Sequence, residues 1–286
     1  MKIRNTLILI LALLVSLDVF VWRTIIFTES SDNLEIYFFD VGQGDSELVI
    51  LPGGVQILID GGKGNQAAQE LTSILPFFDR YLDLVVLSHP ETDHYLGLIE
   101  VLKNYRVGAF IFNGRKGTAD SWPALVKVIK DNKIPAVVLA AGDKICYREN
   151  CFDVLSPTKD FLNGRDTNDS SLVMKLSAGG SQSLFTGDIG EKVEDFLIKN
   201  YDLKIDILKV GHHGSKFSTS QKFLDAVQPK LAFIEVGKNS YGHPTREVLN
   251  RLASVGAAIF RTDIDGALKL VISPSFSKIQ VSKKTP

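Results

Sequence analysis

The sequence predicts an α/β fold with mixed sheets, and three observations carry that prediction. Short β-branched and aromatic runs recur along the chain, helical periods fill many gaps between them, and early hairpins give way to strand–helix alternation. A hydrophobic fraction of 45% and a charged fraction of 23% are those of an ordinary folded domain and exclude a disordered or collagen-like chain. The 286 residues hold one large domain or two small ones. With 32 Lys and Arg against 33 Asp and Glu, net charge gives no pointer to nucleic acid.

The chain opens on Lys2 and Arg4, then an apolar run over residues 6–22 broken only by Asp18 and small hydroxyls. At 1.5 Å per residue that run spans roughly 25 Å, near the thickness of a bilayer core. Residues 25–27 lengthen it if Arg23 snorkels. Residues 1–27 are therefore expected to be a membrane anchor. A cleaved signal peptide, which would leave a secreted domain, shares the basic start, but Trp22-Arg23-Thr24 is a poor cleavage site. Lys2 and Arg4 place the amino terminus in the cytoplasm and the remainder outside. Residues 28–33 are a polar tether, and residues 34–286 form one globular domain.

Within that domain, strands are expected over 34–39, 47–51, 55–59, 84–87, 107–112, 136–139, 172–176, 183–186, 205–210, 231–236 and 267–272. Helices are expected over 66–77, 96–104, 124–132, 191–200 and 246–255, with Pro123 and Pro244 in first turns. Residues 145–154 make a hairpin that brings Cys146 and Cys151 within disulfide reach, which suits an oxidising compartment. Polar, Gly-rich segments directly follow apolar strands: DVGQGD at 40–45, DGG at 60–62, HPETDH at 89–94, Gly187-Asp188 and GHHGS at 211–215. A site along one sheet edge requires that placement.

His89, Glu91, Asp93 and His94 fall within six residues. Neutral imidazoles and ionised carboxylates suit a divalent metal, and mixing them favours zinc, manganese or iron over calcium. The structural alternative is a helix start with Asp93 as its cap. Asp188 ends one strand, and His212 and His213 end another; His243 lies in Tyr241-Gly242-His243-Pro244 ahead of a helix. A cap, an exposed turn and plain turn chemistry would explain these separately, but all five histidines then cluster in such loops by coincidence.

Strand, HxxxDH, GD and HHGS resemble the metallo-β-lactamase superfamily of metal-dependent hydrolases. More narrowly, DVGQGDS, LIDGG, SHPETDH, LFTGDI, VGHHGS and YGHP resemble, in order over 34–272, the hydrolase domain at the end of the DNA-uptake protein ComEC. The resemblance implies an αββα sandwich of two mixed β-sheets flanked by helices, holding one or two divalent ions, zinc or manganese. The many membrane helices of a ComEC channel are not in this sequence, so a singly anchored relative is expected.

The superfamily pattern implies that His89 and the residue two later, here Glu91, hold one metal, while Asp93 and His94 hold the second. An oxygen ligand at Glu91 shifts preference toward manganese. The resemblance further implies that Asp188 bridges the two and that one of His212 and His213 completes the second site. No histidine lies between His94 and His212; Asn168 or Asp169 stands in the region of the family's third motif, where a polar turn is the alternative. Asp93 is expected to orient or deprotonate the attacking water, and His243 to contact phosphate or protonate the leaving oxygen. Asp60 supports a ligand histidine, and Gly42, Gly44 and Asp45 shape the floor. The expected activity is an extracytoplasmic phosphodiesterase or nuclease acting on DNA or another phosphodiester, with a link to DNA uptake in view. A lactamase- or lactonase-type acyl hydrolase and a degenerate module binding DNA or a partner are the alternatives. Lys209, Lys216, Lys238 and Arg246 either track a phosphate backbone or form a solvated face.

Overall fold

A computed structural model describes residues 2–27, 32–273 and 279–283 and divides the chain into two units, Met1–Ser31 and Asp32–Pro286. The first unit is helix α1 (Lys2–Phe27). Its Arg4–Trp22 stretch has a mean hydropathy of 2.2 and is long and apolar enough to cross a membrane, with Leu7, Leu13 and Phe20 exposed.

The second unit begins with β1 (Leu34–Phe38), β2 (Glu47–Ile50), β3 (Gln56–Ile59), α2 (Gln66–Ile74), β4 (Tyr81–Leu87), α3 (Thr92–Asn104), β5 (Arg106–Phe112), α4 (Trp122–Asp131) and β6 (Ala136–Val138). It continues with β7 (Lys144–Tyr147), β8 (Asn150–Ser156), α5 (Lys159–Leu162), β9 (Val173–Ala178), β10 (Ser181–Phe185), α6 (Glu191–Asn200), β11 (Ile207–Lys209), α7 (Gln221–Val227) and β12 (Leu231–Ile234). The last elements are α8 (Arg246–Ser254), β13 (Ala258–Arg261), α9 (Thr262–Asp265), β14 (Leu268–Ile272) and β15 (Ile279–Lys283). One sheet has the order β15-β14-β1-β2-β3-β4-β5-β6 and the other β13-β12-β11-β10-β9-β8-β7. Strands β3 to β6 are parallel neighbours, as are β10 to β13.

Strand periodicity explains the layers. In β3, Ile57 and Ile59 join the core between the sheets while Leu58 joins the outer core under α2, α3 and α4. In β12, Phe233 faces the inter-sheet core and Ala232 and Ile234 face the core under α6, α7 and α8. Central parallel strands thus favour apolar residues on both faces, which is why β12 and residues 84–87 of β4 are unbroken hydrophobic runs. Phe38 of β1 and Phe233 of β12 stack with ring centroids 4.0 Å apart, tying the two sheets together. Burying each such ring contributes about 1.5–3 kcal/mol. The architecture is the αββα sandwich that the motifs implied.

Three local expectations are corrected. Helix α3 starts at Thr92, not at residue 96, with extended Glu91 as its cap, so Asp93 and His94 lie inside its first turn. Pro244 precedes α8, whose cap is Thr245, and so lies outside the first turn. Strands β13 and β15, short and each ending on a charged residue, add edges where no strand was expected. In the β7–β8 hairpin Cys146 and Cys151 face each other and are joined as a disulfide.

Candidate metal centre

Two close backbone approaches bring the first sheet's loops together. In α3, the Gly97 N–H donates to Gly62 O at 2.9 Å and His94 O accepts from Gly61 N at 2.7 Å. A Cβ on Gly97 would lie 1.8 Å from Gly61 O, so only glycine lets the helix sit against the loop after β3. Gly44, at φ +143, packs against the start of α3, with Asp93 O 2.3 Å from where its Cβ would be. From the second sheet, Asp188 follows β10, and both His212 and His213 turn into left-handed backbone after β11 (φ 50 and 53). Left-handed backbone is uncommon outside glycine. It sends one ring inward and the other to the cavity wall.

The inward imidazoles share one feature. His94 Nδ1 is 2.8 Å from Asp60 Oδ2, and His213 Nδ1 is 2.9 Å from Glu235 O and 3.2 Å from Asp45 Oδ1. His89 Nδ1 lies 3.0 Å from Ser88 Oγ, and Ser88 donates to Asp60 through N at 2.8 Å and Oγ at 2.5 Å. Each Nδ1 is engaged, so each Nε2 presents a lone pair in the neutral tautomer. All three Nε2 atoms are buried without a hydrogen-bond partner. Around Asp188 Oδ2, His94 Nε2 stands at 3.4 Å and His213 Nε2 at 3.5 Å, with Asp93 Oδ2 3.7 Å from His213 Nε2. Donor atoms of His89, His94 and Asp188 lie within 4.8 Å of one another, as do those of Asp93, His94 and His213, and those of Asp45, Asp188 and His213.

Beneath these donors lies a charged floor. Lys209, 1% exposed, pairs with Asp45, donates to Gly187 O at 3.2 Å and lies 3.9 Å from Asp188 Oδ1. It is neither on a solvated face nor free to track a phosphate backbone, which corrects the sequence expectation; Lys216, Lys238 and Arg246 are exposed. Glu235 accepts from Ser46 N at 2.9 Å, and Asp45, Glu47 and Glu235 form a further acidic group. Burial, reinforced by the Asp45 charge, pushes the Glu235 carboxyl up to about 7. Burial and then His94 lower His89 to about 3. For His213 burial acts downward, yet Asp188 and Asp45 outweigh it and push the ring up to about 10; Asp188 and Asp60 do the same to His94. Asp188 and Asp93 are held below the usual carboxylate range against their burial, by His213 and His94. Such a pocket attracts positive charge.

Above lies an open cavity of about 470 Å³. Asp93, Asp188 and His213 reach it from below; Glu91, Asn168, His212 and His243 form part of its wall. Glu91 joins none of the donor clusters among the described residues. His212 Nε2 is 3.4 Å from Asn168 Nδ2, and its ring packs edge-on to His243 at 5.6 Å. His243 has a buried Nδ1 without a hydrogen-bond partner, and burial followed by His212 lowers its pKa. Asp169 turns from the cavity and accepts from the Gly190 N–H; burial and then Asp166 raise its pKa. Asp60 stays under the histidines. Sequence reasoning missed Ser88, Glu235, Arg165 and Tyr241. Glu47, Lys209 and Glu235 did carry a signal, a charge inside an apolar strand run.

No protein-family model matches the chain. It is 30% identical over 259 residues to "ComE operon protein 3" of Bacillus subtilis, covering 84% of this chain and 33% of that protein. It is 33% identical over 255 residues to "Competence protein ComA" of Neisseria gonorrhoeae, covering 85% and 33%. The chain thus spans about a third of the length of these relatives. Among solved structures it superposes on the metallo-β-lactamase fold protein YhfI of Bacillus subtilis with a TM-score of 0.54 at 11% identity, over 82% of this chain and 97% of the other. A metallo hydrolase from the archaeon Ignicoccus hospitalis gives 0.52 at 15% identity, over 83% and 98%. The chain is a domain of metallo-β-lactamase fold, similar in sequence to the ComEC-like competence proteins.

Proposed function

We propose that this protein is a metal-dependent phosphodiester hydrolase anchored by α1. One observation carries the reading: three buried imidazoles, each fixed through Nδ1, aim unpaired Nε2 atoms into a pocket shared with Asp188 and Asp93. Unpaired buried polar atoms are costly, and bound cations would relieve all three. His89 and Asp188 would hold a first ion, with Glu91 on the wall as a further donor. Asp93, His94 and His213 would hold a second, with Asp188 between the two. The mixed donors suit zinc or manganese. Such an ion supplies polarisation of a phosphoryl oxygen and a nucleophile at neutral pH.

The remaining roles belong to side chains. Asp93, open to the cavity, orients the attacking water and accepts its proton. His243, with Nδ1 unpaired, delivers a proton to the leaving oxygen, and Asn168 and His212 steady the wall beside it. Asp60, Ser88 and Glu235 keep the imidazoles in the tautomer a metal requires. The relatives' names favour DNA as the phosphodiester and a link to DNA uptake. Lys2 and Arg4, at the start of α1 and ahead of its apolar run, support a domain outside the cytoplasm, where the Cys146–Cys151 disulfide is at home.

The full chain in detergent is expected to carry one or two equivalents of zinc or manganese and to cleave a single-stranded oligonucleotide faster than nitrocefin. Turnover of the lactam alone, or no turnover with manganese supplied, refutes the reading. A membrane-impermeant label should reach the domain in intact cells; protection there reverses the topology.

A further inference from the structure

Two wall segments are each stiffened by one side chain, and each carries a residue that the chemistry above does not use. Asn239 makes four hydrogen bonds across its own turn. Its Nδ2 donates to Gly237 O (2.8 Å) and His243 O (2.9 Å), and its Oδ1 accepts from the backbone N of Tyr241 (3.1 Å) and His243 (3.0 Å). This turn holds the Tyr241 ring 72% exposed and stacked on His243, with centroids 5.7 Å apart and planes 29° apart. On the other segment, Arg115 donates to the carbonyls of Leu162, Gly164, Arg165 and Asp166 at 3.0–3.4 Å. That clamp presents Arg165, which is exposed, lines the cavity and makes no ion pair or side-chain hydrogen bond among the described residues.

A flat aromatic face held open to water has no role in folding, and neither does an unpaired guanidinium on the wall of the same cavity. Together they match a ligand that offers a π-face and an anion. Tyr241 and Arg165 line the same cavity as His243 and Asp188. We propose that the wall grips one nucleotide unit of single-stranded DNA, with Tyr241 stacking on a base and Arg165 paired to a phosphate. The proposal rests on the phosphodiester reading. A single strand is required because base faces in a duplex are already stacked, whereas free strands offer them to aromatic platforms. The cavity, about 470 Å³, is of the size that takes one small ligand such as a nucleotide.

The test uses the full-length protein with manganese, an oligothymidine and a strand of the same length built from abasic sugars. Tyr241→Ala should raise KM for oligothymidine about tenfold or more with kcat little changed, and Tyr241→Phe should behave as wild type. On the abasic strand, wild type and Tyr241→Ala should coincide. Arg165→Gln should raise KM on both strands and lower the salt dependence by about one ion. Wild-type turnover with Tyr241→Ala unchanged on oligothymidine, or equally impaired on both strands, overturns the clamp and leaves the phosphodiester reading standing. A wild type inactive on both strands sinks that reading and the clamp with it.

Discussion

Below the cavity, Asp45, Asp60, Lys209 and Glu235 are 0–1% exposed, and each is bonded to a group that touches a donor histidine or Asp188. On its wall, His212 and His243 are half-buried, and Arg165 and Tyr241 are open to solvent. The floor is a network of compensated charges in a low-dielectric interior, where removing one member strands its partner. The wall is a set of separately braced segments, each able to change alone. The floor should therefore govern metal and stability together, and the wall substrate affinity without either.

The largest expected effects test the donors standing on that floor. His94→Ala and Asp188→Ala should each lose bound metal and turnover together, by elemental analysis and oligonucleotide cleavage, with circular dichroism retained. Full activity in both variants would falsify the proposed ligand set. Next comes the floor itself. Lys209→Met removes the lysine paired with Asp45 and near Asp188 and leaves only the histidines to offset these buried carboxylates, a change expected to cost about 3–5 kcal/mol. Denaturant titration reads it; a loss below 1 kcal/mol would mean the floor is not charge-coupled.

How much of this was visible in the sequence differs between the two regions. The 89–94 segment announced itself because its donors are local, delivered by one loop and one helix turn. The start of α3 was misplaced by four residues for the same reason: its first turn carries donors in place of the apolar periodicity that marks a helix. Choosing between His212 and His213 was beyond sequence reasoning, since adjacent rings leave the turn in different directions and no periodicity says which of them faces the donors. Lys209 looked like a surface lysine because its partner, Asp45, is 164 residues away. Nothing in periodicity marks Arg165 or Tyr241, whose roles arise from Arg115 and Asn239 closing loops around them.

Smaller perturbations sharpen the boundary between floor and wall. Ser88→Ala keeps the Asp60–His94 bond but removes the donors' link to His89, so metal affinity should fall about tenfold while the fold persists. Competition with a chelator measures it; unchanged affinity would place Ser88 outside the network. Asn239→Ala should have the mildest effect. Its four hydrogen bonds stay within one exposed turn, so water replaces them at about 1 kcal/mol or less. The turn then no longer fixes Tyr241 against His243, and substrate must pay to order it on binding. KM should rise a few-fold at full metal content and unchanged chelator resistance. A drop in metal content in Asn239→Ala would show that the wall leans on the floor after all, because the turn reaches the donor His213 through His243 and His212 and through the chain leading back to Glu235.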